Sequence, residues 1–503
     1  MTAILPRAVV IAAAVAGLVL RIWVLRSPLG EPNSDDAVVG LMALRSIDGE
    51  HFRFYWGQPY GGAFEPELTA LFFRVFPRDG WTLRLVPVAL HGFAAYLLTR
   101  VARRALDPRV ATLAGLLWWI APAAGVLWSV HAGGYYGALV VIGLAIALVA
   151  LRIVEQPSRR DALLLGVLVG LGVWTSPQIA VLAVPPLVWL AWHCRTSWRQ
   201  VPLLIVPTII VLLPWFAYQL DHDWASVRTP PAVQHLSYLD RIGVWFESIP
   251  SLFGMVRPAD GRWLFFGAPI AFAVALAATA MGFVRRRPRP FFVTAAVVAS
   301  SFLFALSPYA TTPDVVRYLY PLVPVVALMI AAAVGSTRAA VAVVALALIT
   351  TTVAIVQTAA DTDRDPRWWY ELAPRDLDPL IAGLDGRGID RLWAEYWIGY
   401  RLTFATEERI IAAPIEQIRY EPYEDMVAAS GRAVYVYPAC DADYLREILD
   451  AHELASRETT YGEFTVFELT ERGPDPDAPD PDAPDPDALG LRRPLFRTPA
   501  CFT

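Results

Sequence analysis

Eleven apolar segments, each close to the length that a helix needs to cross a bilayer, occupy most of the first 358 residues. The hydrocarbon core of a bilayer requires about 20 apolar residues in helical form. The segments cover 7–26, 81–101, 109–128, 131–153, 161–176, 178–194, 201–219, 263–284, 290–308, 317–335 and 338–358. Only 18% of the residues are charged, against about 25% in soluble domains. The sequence therefore predicts an α-helical polytopic membrane protein with about 11 transmembrane helices. Its first segment acts as an anchor because no clear small-residue cleavage site follows it.

Arginines occur in every second connection between these segments. They are Arg100, Arg103, Arg104, Arg109, Arg152, Arg159, Arg160, Arg195, Arg199, the run RRRPR at 285–289, and Arg338. Short cytoplasmic loops carry an excess of basic residues. The pattern predicts a multi-pass protein of the cell membrane with a cytoplasmic N-terminus. The long loops 27–80 and 220–262, and everything after residue 358, are then outside.

The composition changes after residue 358. The stretches RLWAEYWIGYRLTF, AVYVYP and GEFTVFELT are rich in residues that favour strands, and DADYLREILDAHEL has the pattern of a helix. We therefore expect a transmembrane domain over 1–358 and a small C-terminal extracytoplasmic α/β domain over 359–472. The tail 473–503 contains an Asp-Pro repeat that cannot bury apolar area, which predicts disorder. Cys440 and Cys501 would both be outside, where a disulfide between them is allowed.

Two adjacent carboxylates, Asp35 and Asp36, follow the first apolar segment in the stretch EPNSDDAVVGLMALRS. One interpretation is structural, with Ser34 or Asn33 capping a helix that ends near Asp48. Acidic groups in the first turn of such a helix favour its macrodipole. The other interpretation is that the pair belongs to the catalytic site of an enzyme.

Other polar side chains fall at the same predicted outer boundary. They are Glu65 in YWGQPYGGAFEPEL, His131 in SVHAGGYYG, and Asp314, Arg317 and Tyr318 in SPYATTPDVVRYLYPLVP. Ionisable groups beside hydrocarbon are costly unless they are paired or functional. Each group also has a structural interpretation. Glu65 would open a helix with Pro66 at its first position, His131 would start a helix, and Arg317 would extend to lipid headgroups.

These stretches carry a resemblance to a known family. The segment SDDAVVGLMALRSIDGEHFRFYWGQPYGGAFEPELTALFFRVF, with TLRLVPVALHG after it, resembles the first outer loop of GT-C superfamily membrane glycosyltransferases. VRYLYPLVPVVALMIAAA is similar to a late span of the same proteins. The nearest group contains protein O-mannosyltransferases, lipid A aminoarabinose transferases and rhizobial lipopolysaccharide transferases. The resemblance covers roughly 1–358 and implies a GT-C-like fold; the C-terminal domain is similar to the extracytoplasmic tails of these proteins.

The resemblance implies transfer of a monosaccharide, with inversion, from a polyprenyl-phosphate sugar donor to an envelope glycan, lipid or protein acceptor. In the family the first acid of the loop-one pair is the general base, and that position matches Asp35. Asp36 stands where a Glu is common, so which of the two acids is the base stays open. The departing phosphate needs a donor such as Arg317, with Tyr318 as a second. Glu65 would orient the acceptor or hold Asp35, and His131 completes the predicted substrate-binding set.

The sequence departs from the family at the donor phosphate. Some relatives hold it with a Lys beside paired prolines in the first loop, whereas this chain has GGAFEPE there and no Lys anywhere. The phosphate contact must therefore differ, and it must come from Arg if it is charged. No cofactor is required, and no Cys/His cluster has metal-ligand spacing. Asp35, Asp36 and Glu65 could nevertheless hold a divalent cation together with water.

Two other functions stay open from the sequence. A transporter or flippase for a lipid-linked saccharide would use similar spans and charges, although internal repeats would then be expected. A non-catalytic scaffold would bind envelope polymer through the outer domain. Nucleic-acid binding has no support because the net charge is −5 and such proteins carry basic patches.

Overall fold

A computed structural model of the chain describes residues 4–193, 201–226, 236–253, 255–256, 262–285, 290–307, 316–364 and 376–470, with residues 486, 489 and 491. It contains two compact units. The first unit comprises Met1–Gly30, Pro59–Glu65 and Arg84–Asp363, and the second comprises Glu31–Gln58, Pro66–Leu83 and Arg364–Thr503. The predicted division has a single boundary, at residue 358. The second unit of the structure contains the C-terminal part of the chain and, in addition, two segments of the first loop.

Helices make up most of the described residues. Along the chain they are α1 (Arg7–Leu25), α2 (Ser34–Ile47), α3 (Phe64–Phe73), α4 (Gly80–Ala105), α5 (Ala111–Ile120), α6 (Ala123–Trp128), α7 (Tyr136–Glu155), α8 (Arg159–Thr175), α9 (Ala180–His193), α10 (Val201–Asp221), α11 (Tyr238–Glu247), α12 (Ile249–Leu252), α13 (Ala268–Arg285), α14 (Pro290–Leu306), α15 (Val323–Ala333), α16 (Thr337–Arg364), α17 (Asp378–Gly386), α18 (Tyr396–Ala405), α19 (Pro422–Ala428) and α20 (Ala442–Ala451). The strands are β1 (Phe54–Tyr55), β2 (Gln58–Gly62), β3 (Arg391–Ala394), β4 (Ile411–Pro414), β5 (Val434–Pro438), β6 (Ala455–Tyr461) and β7 (Phe464–Thr470).

Each of the eleven predicted apolar segments contains a helix. Within the described residues, α1, α4, α7, α10 and α16 are long and apolar enough to cross a membrane, and shorter apolar helices occupy other predicted segments. The segment 109–128 is divided into α5 and α6 because Ala121, the residue before Pro122, is extended. Proline disfavours helical geometry in the residue that precedes it. The predicted fold class, a helical multi-pass membrane protein with a small C-terminal sheet region, is confirmed.

The second unit is built on a five-stranded sheet of order β4-β3-β5-β7-β6. Strand β3 pairs in parallel with β4 and β5, while β7 pairs antiparallel with β5 and β6. The sheet packs on a core that includes Leu380, Leu392, Ile398 and Val436, each fully buried. The predicted helix over DADYLREILDAHEL and the strands over AVYVYP and GEFTVFELT are present as α20, β5 and β7.

One prediction for this unit is wrong in part. The run RLWAEYWIGYRLTF has a β-rich composition, but only its start is strand β3 and the remainder is helix α18. The carboxylate of Glu395 caps this helix by accepting a hydrogen bond from the backbone N–H of Trp397 at 2.8 Å. Although the residues of this run favour strands, their packing stabilises a helix. Helix α18 lies so close to α2 that a Cβ at Gly40 would lie 2.4 Å from the ring of Phe404.

Helix α3 carries exposed apolar side chains at its C-terminal end. Leu71 in the helix, and Val75 and Phe76 just after it, are 57%, 75% and 48% exposed. Such a face is costly in water and stable in the headgroup region of a bilayer. The exposure favours an interfacial position for α3 over packing on the protein itself.

Candidate active site

Asp36 takes part in the capping box at the start of helix α2. Its Oδ2 accepts a hydrogen bond from the backbone N–H of Asn33 at 3.1 Å, and Asn33 Oδ1 accepts from the backbone N–H of Asp36 at 2.9 Å. This reciprocal pair is a capping box, which satisfies two backbone donors at the helix start. The side chain is 1% exposed. The helix ends at Ile47, close to the predicted end near Asp48, and Gly49 follows with a φ of +97° that favours glycine.

Asp35 has a different environment although it is the neighbouring residue. Its side chain is 37% exposed. Oδ1 accepts a hydrogen bond from the Tyr396 hydroxyl at 2.5 Å and lies 3.4 Å from Nη2 of Arg419. Oδ2 has no hydrogen-bond partner among the residues that the structure describes. One oxygen of the carboxylate is therefore held while the other is available to a proton donor.

The groups around Asp35 are themselves fixed. Burial raises the pKa of the Tyr396 hydroxyl well above its ordinary value, and the Asp35 carboxylate raises it further. The hydroxyl therefore stays protonated and donates to Asp35. Burial disfavours the charge on Arg419, but Tyr396, Asp35 and Tyr55 more than compensate and raise its pKa. The guanidinium stays charged, and its Nε donates to the Tyr396 oxygen at 3.3 Å.

Hydrogen bonds through the backbone hold the two sides of this cluster together. The Tyr55 hydroxyl donates to the backbone oxygen of Asp35 at 2.9 Å. The Ser34 hydroxyl donates to the backbone oxygen of Tyr396 at 2.6 Å. The Tyr400 hydroxyl accepts from the backbone N–H groups of Arg419 at 2.6 Å and Tyr420 at 3.2 Å. The starts of α2 and α18 are thus tied to each other and to the loop that carries Arg419.

An aromatic and ionic layer supports the same loop. The ring of Tyr420 stacks on Trp56 with centroids 4.0 Å apart. Arg45 forms an ion pair with Glu408 at 2.8 Å, and the Tyr423 hydroxyl donates to the same carboxylate at 2.5 Å. Burial of these rings makes the position of Arg419 depend on the packing of the whole unit.

Arg317 and Tyr318 belong to the first unit, in a short 3-10 turn at Val316–Tyr318. The Arg317 guanidinium lies 5.3 Å from the centroid of the Tyr318 ring. It also interacts electrostatically with Tyr135 and Tyr136 at the start of α7. The turn therefore presents a cation surrounded by phenol hydroxyls, which suits an anionic oxygen ligand. Asp314, also singled out in the sequence, lies outside the described residues.

The glycine-rich part of the first loop packs against these tyrosines. Tyr60 interacts electrostatically with Tyr135 and Tyr136. A Cβ at Gly61 would lie 2.5 Å from the Tyr135 ring, and one at Gly62 would lie 2.9 Å from the backbone oxygen of Trp174. Only glycine permits this approach, so Gly61 and Gly62 allow strand β2 to lie close to Tyr135 and to α8.

Glu65 and His131 are both buried in the first unit. Glu65, 1% exposed, is the second residue of α3 and interacts electrostatically with Tyr320. His131 is 6% exposed, and its Nε2 lies 2.9 Å from the backbone oxygen of Leu29. Because a carbonyl only accepts, Nε2 carries the proton. The local geometry of both residues fits a supporting position better than direct proton transfer.

Sequence reasoning does not find Tyr396, Arg419 or Tyr55. Tyr396 and Arg419 are 361 and 384 residues from Asp35 along the chain, and neither lies in a motif. No signal in a single sequence connects positions so far apart. Among the described residues, no group of three or more His, Cys, Asp or Glu side chains is arranged to hold a metal ion.

Comparison with known proteins gives a family-model match over part of the chain and a solved structure of similar fold. Residues 65–219 match the family model described as dolichyl-phosphate-mannose-protein mannosyltransferase. The fold is similar to that of ArnT from Cupriavidus metallidurans, solved with bound undecaprenyl phosphate. The TM-score is 0.60 at 13% identity, and the match covers 93% of this chain and 99% of that one. The resemblance to GT-C superfamily membrane glycosyltransferases is thereby confirmed.

A second solved structure matches with a lower score. The apo oligosaccharyltransferase of Archaeoglobus fulgidus matches with a TM-score of 0.46 at 14% identity, over 88% of this chain and 71% of that one. No curated protein sequence matches this chain. The chain is thus a multi-pass membrane protein whose fold is similar to that of ArnT.

Proposed function

We propose that the protein transfers a monosaccharide from a polyprenyl-phosphate sugar to an envelope glycan, lipid or protein acceptor, with inversion and with Asp35 as general base. The reaction would take place on the outer face of the cytoplasmic membrane. The observation that carries the proposal is the difference between the two acids. Asp36 closes a helix cap, whereas Asp35 is partly exposed with Oδ2 available.

The reaction needs a general base for the acceptor hydroxyl and a positively charged hydrogen-bond donor for the leaving phosphate. As the acceptor oxygen attacks the anomeric carbon, its proton passes to Oδ2 of Asp35 and the bond from that carbon to the phosphate oxygen breaks. Polyprenyl phosphate then leaves as an anion. Arg317 supplies charge to its oxygens, and Tyr318 supplies a second donor. No metal is required, because the leaving group is already an anion.

The remaining predictions about the site stay part of this proposal. Glu65 and His131 belong to the substrate-binding set, as buried groups of the first unit. The N-terminus is cytoplasmic, and residues 359–472 form an extracytoplasmic domain followed by the tail 473–503. Arginine-rich loops on alternate sides support this orientation. Cys440 is disulfide-bonded. Cys501, the partner that an outside location would allow, lies outside the described residues, as do most of the tail residues.

The test uses purified protein in proteoliposomes with a panel of radiolabelled polyprenyl-phosphate sugars and envelope acceptors. We expect label in the acceptor with at least one donor. Asp35→Asn should abolish the signal, and Asp223→Asn, at an exposed position, should preserve it. Movement of the lipid-linked sugar across the bilayer without any new glycosidic bond would instead identify a flippase. Envelope binding with neither activity would identify a scaffold.

A further inference from the structure

The hydrogen bonds to the Asp35 side chain come from residues that the proposed reaction does not use. We propose that Tyr396 and Arg419 are positioning residues, which hold Oδ1 of Asp35 so that Oδ2 is directed to the acceptor hydroxyl. The inference rests on the proposed function, since it assigns a task to groups around the proposed base. It makes the C-terminal half of the second unit part of the catalytic machinery.

The first step is the geometry of the carboxylate. Both contacts are made to the same oxygen, Tyr396 at 2.5 Å and Arg419 at 3.4 Å. A hydroxyl bonded to an ionised carboxylate at this length is a strong, charge-assisted hydrogen bond. Rotation of the carboxylate would break it, so the direction of Oδ2 is fixed.

The second step is that the two donors, Tyr396 and Arg419, are themselves fixed by neighbouring residues. Arg419 is only 16% exposed at its side chain and its Nε donates to the Tyr396 oxygen, so the two donors form one group. Gly57, at φ +66°, lies against Arg419, where a Cβ would be 3.0 Å from Cδ. Any shift of Tyr396 would therefore displace Arg419 and the packed loop around it.

The third step is the exposure of the carboxylate. A carboxylate that served only as the counter-charge of the buried Arg419 could itself be buried and fully hydrogen-bonded. Asp35 is instead 37% exposed, with one oxygen unbonded among the described residues. Exposure of a held carboxylate is what a base needs, because a substrate must reach it.

The experiment separates turnover from stability. Tyr396→Phe keeps the ring and removes the hydroxyl, and we expect kcat to fall by about tenfold or more, as imprecise placement of a catalytic group does. KM for the donor should stay within about twofold, because neither residue is assigned to the donor phosphate. Tyr461→Phe is the matched control, since the Tyr461 hydroxyl has no hydrogen-bond partner in the described part of the chain.

Arg419 provides a second, independent variant. Arg419→Gln should lower kcat at least as much as Tyr396→Phe, and Arg419→Lys, which keeps the charge, should recover part of it. The fraction of folded protein and the thermal midpoint are measured for each variant, and kcat is expressed per folded molecule. A role limited to stability would lower the midpoint and leave that kcat unchanged.

Failure of this inference differs from failure of the proposed function. If Asp35→Asn is inactive while Tyr396→Phe and Arg419→Gln both turn over at the wild-type rate, the positioning role is refuted and the base survives. If Asp35→Asn transfers sugar normally, or if the wild-type protein transfers none of the donors, both are refuted.

Discussion

Two clusters of polar side chains in this protein differ in how exposed they are to solvent. The bundle cluster consists of Arg21, His91, Trp118 and Tyr320 in the first unit, which are 1%, 2%, 1% and 4% exposed. The Asp35 cluster consists of Asp35, Tyr396 and Arg419 in the second unit, and its carboxylate is 37% exposed. Both contain an arginine and a tyrosine, so composition alone does not tell them apart.

The bonding of the bundle cluster is directed largely at the backbone. Arg21 Nη1 donates to the backbone oxygens of Gly17 at 2.8 Å and Trp119 at 3.0 Å. His91 Nε2 lies 3.0 Å from the backbone oxygen of Trp118, so it must donate there. Its Nδ1 is then the acceptor for the Tyr320 hydroxyl at 3.0 Å. These bonds to backbone oxygens fix helices, whereas the Asp35 cluster leaves Oδ2 of Asp35 without a hydrogen-bond partner among the described residues.

The largest effect on kcat is expected at Arg317 and not at Arg21, although both arginines belong to the first unit. Arg317→Gln should lower kcat by about 10²–10³-fold, because a preorganised donor to the departing phosphate is lost. Arg21→Gln should instead reduce the yield of folded protein and leave the kcat of the folded fraction unchanged. Turnover and melting are measured for both in the same proteoliposomes. Equal turnover of Arg317→Gln and wild type would remove Arg317 from the site.

The next largest effect is a loss of stability caused by a substitution within the bundle cluster. His91→Ala removes the acceptor for Tyr320 and leaves a cavity, and we expect it to destabilise the protein by about 2–4 kcal/mol. The thermal midpoint in detergent gives the comparison. Transfer per folded molecule should match wild type; a large loss of kcat in folded protein would mean that the cluster is not purely structural.

A smaller effect concerns the helix cap. Asp36→Asn weakens the capping box, and we expect a loss of about 0.5–2 kcal/mol of stability. Because Asp36 is not the proposed base, kcat of the folded protein should remain within about threefold of wild type. Denaturation and turnover assays on the same preparation check this. Inactive but fully folded Asp36→Asn would transfer the role of base to Asp36.

The smallest effect involves Glu395, the partly buried acid that caps α18 directly before Tyr396. Burial, opposed by the N–H of Trp397 and assisted by Glu416 and Asp441, raises the pKa of Glu395 from 4.5 to about 8. The folded state then binds more protons than the unfolded state over this interval. The stability from Glu395 is therefore present below pH 4.5 and is lost as the pH rises through about 8.

Glu395→Gln should remove this dependence. We expect its thermal midpoint to vary less than that of wild type between acidic and mildly alkaline pH, with a gain of about 1–2 kcal/mol at the alkaline end. Melting curves over this range measure it. A variant with the same pH dependence as wild type would show that Glu395 does not titrate there.

The membrane part of the fold is largely predictable because long apolar segments have few alternatives in a bilayer. The break at Pro122 and the helix start at Tyr136 are local details that hydropathy does not register. Helix α18 is not predicted because Trp397, Tyr400 and Phe404 favour strands, whereas its cap at Glu395 and its packing decide in favour of helix. Propensity is weak when tertiary contacts oppose it.

The site is predictable only to the level of the acidic pair. The sequence suggests a cap or a base for the same two residues; the structure places Asp36 in the cap, and Asp35 as the base is our proposal. Assigning Asp36 to the cap requires the geometry of Asn33, which depends on backbone angles. Finding Tyr396 and Arg419 requires knowledge of which distant segments pack together, and a single sequence does not contain it.

The most direct test is a single-turnover measurement with Asp35→Asn, mixed with a saturating polyprenyl-phosphate sugar and then with acceptor. The account predicts transfer at least about 10²–10⁴-fold slower than wild type, with the donor dissociation constant unchanged within about threefold. Transfer by folded Asp35→Asn at a rate within about tenfold of wild type would contradict it.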